Sequence, residues 1–514
     1  MSQAIELEIF RHLFASVAEE MGERLMRAAY SPNVKERRDF SCALFDDKAE
    51  MIAQAAHIPV HLGSTPMSVE AVIQTVGLSA MRPGDRYILN DPYQGGTHLP
   101  DLTLVAPCFL DGEAQPRFFV ANRAHHADVG GIAPGSLPLG RHIDDEGYRI
   151  GPTLLDDVAT DAFCAASRTP DERRGDLMAQ LASASLGVAR LQELCARHGG
   201  ALVSQRAAQL QDYADRMTRA CLARVPDGEY TFEDHLDGDG LGLEDIALRC
   251  TLRLRGGALE VDLTECAPQV VGPLNAVRAI SVSAVAYVLR CLGDEDLPSN
   301  GGAMRSVKVL TRPGSVADAR YPAPVAAGNV ETSQRLVDVI LGAFARALPS
   351  LIPAASCGSM NNVLVGGADP RSGAPFAYYE TLAGGAGAGP HGPGEAAVHT
   401  HMTNTLNTPV EALEHAYPMR VEAYRVRDGS GGAGLHPGGD GLERVYRFLG
   451  PAQVTLLGER RSRGPWGAQG GSPGRPGEDH HNGQRLPAKV SLHVQAGDTV
   501  SVATPGGGGW GEAP

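Results

Sequence analysis

Two short polar stretches in apolar surroundings carry the most chemistry in this 514-residue chain. In THLPD, His98 stands three residues before Asp101. In RAHHADVGG, His125 and His126 stand just before Asp128. Imidazoles and carboxylates together form the donor set of a Mn²⁺, Fe²⁺ or Zn²⁺ site rather than a Ca²⁺ or Mg²⁺ site. Neither spacing means much alone. They converge because DLTLVAPCFL and RFFVANRA read as two strands joined by DGEAQP. A loop of Asp111–Pro116 sets residue 101 opposite 126, and a loop of Asp111–Ala114 sets it opposite 124. Either register brings Asp101 beside the histidine pair. The Gly-rich loop before His98 can bend back over the same spot. Neighbours on a strand point to opposite faces, so one histidine is expected to bind the ion, with His125 preferred. The other then supports the ligands or moves protons. The competing readings are a metal-free polar active site and a solvated strand end.

Other histidines are candidates of a different kind. HIPVH spaces His57 and His61 as on a helix face, but Pro59 forbids a regular helix there. They line a polar pocket or serve structure. HTHMTNTLNTP puts His399 and His401 on one face if extended, although Thr/Asn-rich runs often form turns. His57, His61 and His401 are taken as the substrate-binding candidates.

Several function classes are excluded. Only four lysines occur, Lys35, Lys48, Lys308 and Lys489, and none follows a glycine, so no P-loop is present. Residues 383–395 are Gly-rich without the strand and helix of a dinucleotide fold, and read as a loop whose backbone lies against a ligand. DHLDGDG lacks the spacing of a calcium loop, and no GxSxG elbow occurs. The net charge of −15 repels phosphate backbones and anionic membrane surfaces, so neither nucleic acid nor membrane is an expected partner. Nine cysteines without a CxxC pair read as reduced thiols of a cytoplasmic protein, and MSQAIELEIF does not resemble a signal peptide.

These residues need elements to place them. Phe10, Phe14, Val17, Met21 and Leu25 mark one face of a helix over 4–29. SCALFDD and MIAQAA form a hairpin, and STPMSVEAVIQTV a capped helix. Residues 171–224 read as two helices separated by Gly199-Gly200. A hairpin about Gly256-Gly257 follows, then helices over 280–292 and 332–347. The end, TPGGGGWG, is either a flexible tail or a conformationally special loop. The expected class is α+β and multi-domain, with mixed or antiparallel sheets, packed helices and a glycine-rich C-terminal part. Soft boundaries give an N-terminal α+β domain with the metal site (1–225), a strand-rich middle domain (226–330) and a glycine-rich α+β domain (331–514).

AAYSPNVKERRDFSCALFD, AHIPVHLGSTP, LNDPYQGGTHLPDLTLVAP, ANRAHHADVGGIAPGS, GNVETSQRLVD, HTHMTNTLNTPVEALE and TPGGGGWG together resemble the hydantoinase B family. That family takes in the B-type chain of N-methylhydantoinase, the C-terminal half of 5-oxoprolinase and subunits of acetone and acetophenone carboxylases. The resemblance implies a hydantoinase A-type partner that binds ATP with Mg²⁺, in a hetero-oligomer of AB pairs. It also implies ATP-dependent opening of a cyclic amide or imide, completed at a metal in the B-type chain. Carried onto this sequence, the implied ligands are Asp39, His98, Asp101 and His125. His126 or Asp128 would accept or deliver the proton. DLTECAPQ (262–269) departs from the family pattern and leaves the middle domain uninformative about substrate. The alternatives are a subunit of an ATP-dependent acetone-type carboxylase and a non-catalytic stabilising subunit.

Overall fold

A computed structural model describes residues 3–55 and 57–513; Met1, Ser2, Pro514 and Ala56, the end of the expected second strand, lie outside the described residues. The first six strands are β1 (Phe40–Asp46), β2 (Met51–Gln54), β3 (Tyr87–Leu89), β4 (Asp101–Cys108), β5 (Phe118–His125) and β6 (Thr153–Leu154). They form one sheet in the order β2-β1-β5-β4-β3-β6, all antiparallel. Strands β4 and β5 are buried along their whole length. They read as continuous apolar runs because both faces are covered.

Strand alternation sorts the two faces. Cys42, Leu44, Leu104, Ala106 and Val120 meet the long helices Gln3–Ala28 and Pro170–His198. Ala43, Phe45, Val105, Phe119 and Ala121 pack with Val69 and Val72 of the helix Thr65–Val76. Pro170–His198 ends at Gly199, whose φ of +86° lets the chain turn at once into the helix Gly200–Leu222.

The middle of the chain adds β7 (Gly228–Gly238), β8 (Glu244–Arg255), β9 (Ala258–Asp262) and β10 (Val307–Leu310). They form a second sheet, β10-β9-β8-β7, in which β10 runs parallel to β9 and the other pairs are antiparallel. The helix Arg278–Leu292 follows β9. The helix Ser333–Ala347 begins as expected but is preceded by a π-helical turn, Gly328–Thr332. Five residues are too few for an i→i+5 pattern to show in hydrophobic spacing. Two further sheets lie between Asn362 and Ala503. The largest hydrophobic core runs through all three parts of the chain, from Phe10 to Leu457.

The glycine-rich end is a packed loop, not a flexible tail. Residues 502–509 are buried. Backbone meets backbone here: Gly507 N donates to Gly439 O, Gly439 N to Ala386 O, Gly432 N to Gly507 O and Ala388 N to Gly508 O, all at 2.8–2.9 Å. A Cβ on Gly385, Gly438, Gly439 or Gly507 would lie within 2.0 Å of a neighbouring carbonyl oxygen. Residues 384–388 therefore present their backbone to other segments of the same chain, while His391, Pro393 and Glu395 stand exposed.

Candidate metal centre

Strand β4 pairs with β5 in the register midway between the two expected ones, setting Asp101 directly opposite His125. On the other side of β5, Phe40 faces Ala124 and Asp39 O accepts from His125 N at 3.0 Å. Asp39, His125 and Asp101 therefore share one row across three strands. His126 follows the end of β5 and faces the opposite way. Its Nε2 lies 2.9 Å from Gln180 Oε1 on the long helix, and its ring stands edge-on to Phe163 at 5.2 Å.

The loop carrying His98 is folded back by its own polar residues. Asn90 donates to Leu99 O (2.8 Å) and Tyr148 O (2.9 Å). Asp91 accepts from Tyr93 N and Gln94 Nε2, and from Arg149 at 2.7 Å. Gly95 has a φ of +93° and lies against Met67 O, where a Cβ would come within 2.6 Å. The turn delivers His98 to Asp101: His98 Nε2 lies 3.1 Å from Asp101 Oδ1, and His125 Nδ1 3.3 Å from the same oxygen. One donor atom from each of His98, Asp101 and His125 lies within 4.8 Å of the others, the one such group of three among the described residues. All three side chains are buried, at 0, 1 and 2% exposure.

A surrounding shell completes the site. Asp101 Oδ2 accepts from Thr97 Oγ1 at 2.7 Å and lies 3.4 Å from His61 Nε2, while His61 Nδ1 meets Ser41 Oγ at 2.9 Å. Burial alone would raise the Asp101 carboxyl, but the imidazoles of His98 and His61 overcome it and hold the group well below its ordinary value. Burial pushes His125 down, so it stays a neutral donor. Tyr379, on the strand Pro375–Thr381, stacks on His125 at 4.5 Å and 18°. Tyr379 donates to Asn362, which donates to Glu331 at 2.7 Å. Two imidazoles and a carboxylate around one point are the donors of a mixed N/O transition-metal site.

The side chains of the other expected site residues, His61 excepted, stand outside this group. Asp39 lies in the same row, but its carboxylate stands 4.0 Å from Arg37 and outside the 4.8 Å group. Asp128 is occupied by Gly130 N, Gly135 N, Arg168 N and the Arg168 guanidinium, at 3.0–3.1 Å, and so organises its own loop. His57 accepts from Cys42 N at 3.2 Å beside a surface pocket of about 450 Å³ that Arg38, Asn404 and Leu406 also line. His401 meets Asp338 at 3.3 Å, in a buried network with Arg460 and Asp234. His61, expected at the substrate, touches Asp101.

With the geometry in view, comparison with known proteins decides the family. The model of the Hydantoinase B/oxoprolinase family matches residues 3–513. The chain belongs to that family. Among hydantoinase B relatives, 5-oxoprolinase 1 of Arabidopsis thaliana is 37% identical over 99% of this chain, which spans 42% of that protein's length. A protein of a Pseudomonas species, named as the B-type subunit of a D-/L-hydantoinase, is 30% identical, with 99% of this chain and 90% of that one covered. A solved structure, the ATP-dependent caprolactamase of Pseudomonas jessenii, superposes with a TM-score of 0.93 at 29% identity, over 100% of this chain and 92% of that one. Among the described residues no helix is long and apolar enough to cross a membrane.

Residue reasoning alone passes over Thr97, Tyr379 and Asn329. Asn329 Nδ2 lies 3.0 Å from His98 Nε2 and 3.5 Å from Asp101 Oδ2. Its signal is present: GNVETSQ is a polar interruption at the head of an otherwise apolar helix. What it contacts, 231 positions away, is not written in that pattern.

Proposed function

We propose that this chain is the B-type subunit of an ATP-dependent enzyme that opens a cyclic amide or imide ring, with ATP bound by a separate A-type partner. The observation that carries the reading is the buried His98–Asp101–His125 group at the end of one antiparallel pair. Kinship supports the substrate class, since the relatives are named for 5-oxoproline, hydantoin and caprolactam. The 90% coverage of a relative that is itself named as one subunit of a hydantoinase supports a separate partner.

His98 Nε2, Asp101 and His125 Nδ1 would hold the divalent ion, with Asp39 waiting in the same row. Such an ion brings a bound water's pKa toward neutrality and polarises a carbonyl oxygen. The protein's own groups do the rest. Asp101 stays ionised and fixes two imidazoles from one oxygen. His61 is the nearest further imidazole: its Nε2 faces Asp101 Oδ2 and donates there, which leaves Nδ1, beside Ser41 Oγ, as the nitrogen that can take a proton. His126 and Asp128 are less suited to that role, being engaged by Gln180 and by Arg168. Burial of the whole group keeps bulk water out.

The test combines metal analysis with turnover. The purified chain is expected to carry about one Mn, Fe or Zn ion, and Asp101→Ala to lose it. With its A-type partner and ATP, the wild-type chain is expected to release ADP and phosphate on adding a hydantoin, 5-oxoproline or lactam. Product only with bicarbonate and a ketone would replace this reading with a carboxylase. Full turnover by Asp101→Ala would leave the chain a non-catalytic subunit.

A further inference from the structure

The segment Ala326–Asn329 grips both edges of the His98 ring. Ala326 O stands 3.3 Å from Nδ1, and Asn329 Nδ2 stands 3.0 Å from Nε2. A carbonyl beside Nδ1 selects the tautomer that carries its hydrogen there and leaves the lone pair on Nε2. The carboxamide of Asn329 therefore faces the lone pair that would bind a cation, and it also lies 3.5 Å from Asp101 Oδ2.

The position is built, not incidental. Asn329 is buried in the π-helical turn, a local geometry that recurs at functional sites. Only glycine fits just before it, because a Cβ on Gly328 would lie 1.8 Å from Asn275 O. Glu146 accepts from Val325 N and Ala326 N at 2.7 and 2.8 Å and pins the segment from behind.

One atom is left over. Asn329 Oδ1 is buried and finds no hydrogen-bond donor among the described residues. An orphaned buried carbonyl is costly to fold and calls for an ion or water. The two ends of a carboxamide exchange by a half-turn. Turned, the oxygen faces His98 Nε2 and Asp101 Oδ2, three lone-pair donors repel one another, and a cation among them removes the conflict.

We propose that Asn329 is a further protein ligand of the cation, binding through its carboxamide oxygen beside His98, Asp101 and His125. The inference rests on the metal reading above. It also narrows the ion: a neutral hard oxygen suits Mn²⁺ better than Zn²⁺.

The test titrates the metal-stripped full chain with Mn²⁺ and with Zn²⁺, and follows bound Mn²⁺ by electron paramagnetic and electron–nuclear double resonance. Asn329→Leu keeps the size and removes the oxygen; Asn329→Asp keeps an oxygen and removes the N–H. Asn329→Leu is expected to weaken Mn²⁺ on the order of tenfold or more, with a smaller loss for Zn²⁺, whereas Asn329→Asp retains Mn²⁺. With ¹³C at the asparagine carboxamide carbons, bound Mn²⁺ should show a ¹³C coupling that Asn329→Leu lacks. If Leu does not fold, Asn329→Ala takes its place. Wild-type Mn²⁺ affinity in Asn329→Leu, equal losses in Leu and Asp, or no ¹³C coupling would each overturn the assignment. His98→Ala separates the two levels: unchanged metal binding there removes the metal reading itself, whatever Asn329 does.

Discussion

A single methyl group at Gly507 tests whether the glycine-rich end is held by backbone packing. An alanine Cβ there would sit 1.9 Å from Ala386 O, 2.3 Å from Ala386 C and 2.8 Å from Gly387 N. Ordinary contact begins near 3.4 Å, so one segment must retreat by about 1.5 Å. No flexible side chain can give way, since every close atom is backbone. The retreat breaks the bonds from Gly507 N to Gly439 O and from Gly432 N to Gly507 O, and strains that from Gly439 N to Ala386 O. At about 1 kcal/mol for each bond, plus about 1–3 kcal/mol for overpacking, the loss is about 4–6 kcal/mol. That is a large share of the roughly 5–15 kcal/mol that holds a folded protein together. Thermal melting and soluble yield measure it, with Gly497→Ala as the control. Gly497 has a positive φ, +94°, but its added Cβ meets nothing within 4 Å, so only about 1–2 kcal/mol of backbone strain is expected. If Gly507→Ala melts no lower than Gly497→Ala, the packing argument is wrong.

Further outcomes follow from the centre and its supports. His98→Ala and His125→Ala are expected to lower bound metal and turnover on the order of a hundredfold, whereas His126→Asn, on the opposite face, should keep the metal; metal analysis decides, and loss of metal in His126→Asn would contradict the facing. Glu146→Ala orphans two buried N–H groups behind His98 and should cost about 2–4 kcal/mol, with Glu146→Gln recovering most of it in urea unfolding, because its oxygen still accepts both bonds. Burial pushes His57 down to about 4. It is neutral in the native state and protonates first in the unfolded chain. Its stabilising contribution is whole above pH 6.5 and is lost as pH falls toward 4, about 1–3 kcal/mol. His57→Asn, which keeps an acceptor for Cys42 N, should flatten the unfolding free energy over that window; parallel pH slopes would contradict this.

Much of the centre is legible in the sequence because it depends on a local hairpin. Apolar continuity marks β4 and β5, and their loop sets the register to within one residue, enough to bring Asp101 to the histidines. The period of two also separates His125 from His126, which face His98 and Gln180 respectively. What stays hidden depends on long-range contact. His61 comes to Asp101 through a proline-led turn with no repeating pattern, and Asn329 and Tyr379 arrive from more than two hundred residues away. The glycine segments are visible as composition, but their purpose is not. A residue without a side chain leaves no hydrophobic period to read, and only the facing backbone explains Gly385 or Gly507.

The clamp on His98 also sets an order of events in time. Ala326 follows His98 by 228 positions. At a ribosome's pace of about 5–20 residues per second, roughly ten to fifty seconds separate the two. During that interval the nascent hairpin stands with one flank uncovered, and the imidazole is free to sample whatever ions surround it before the later half of the chain shuts the door.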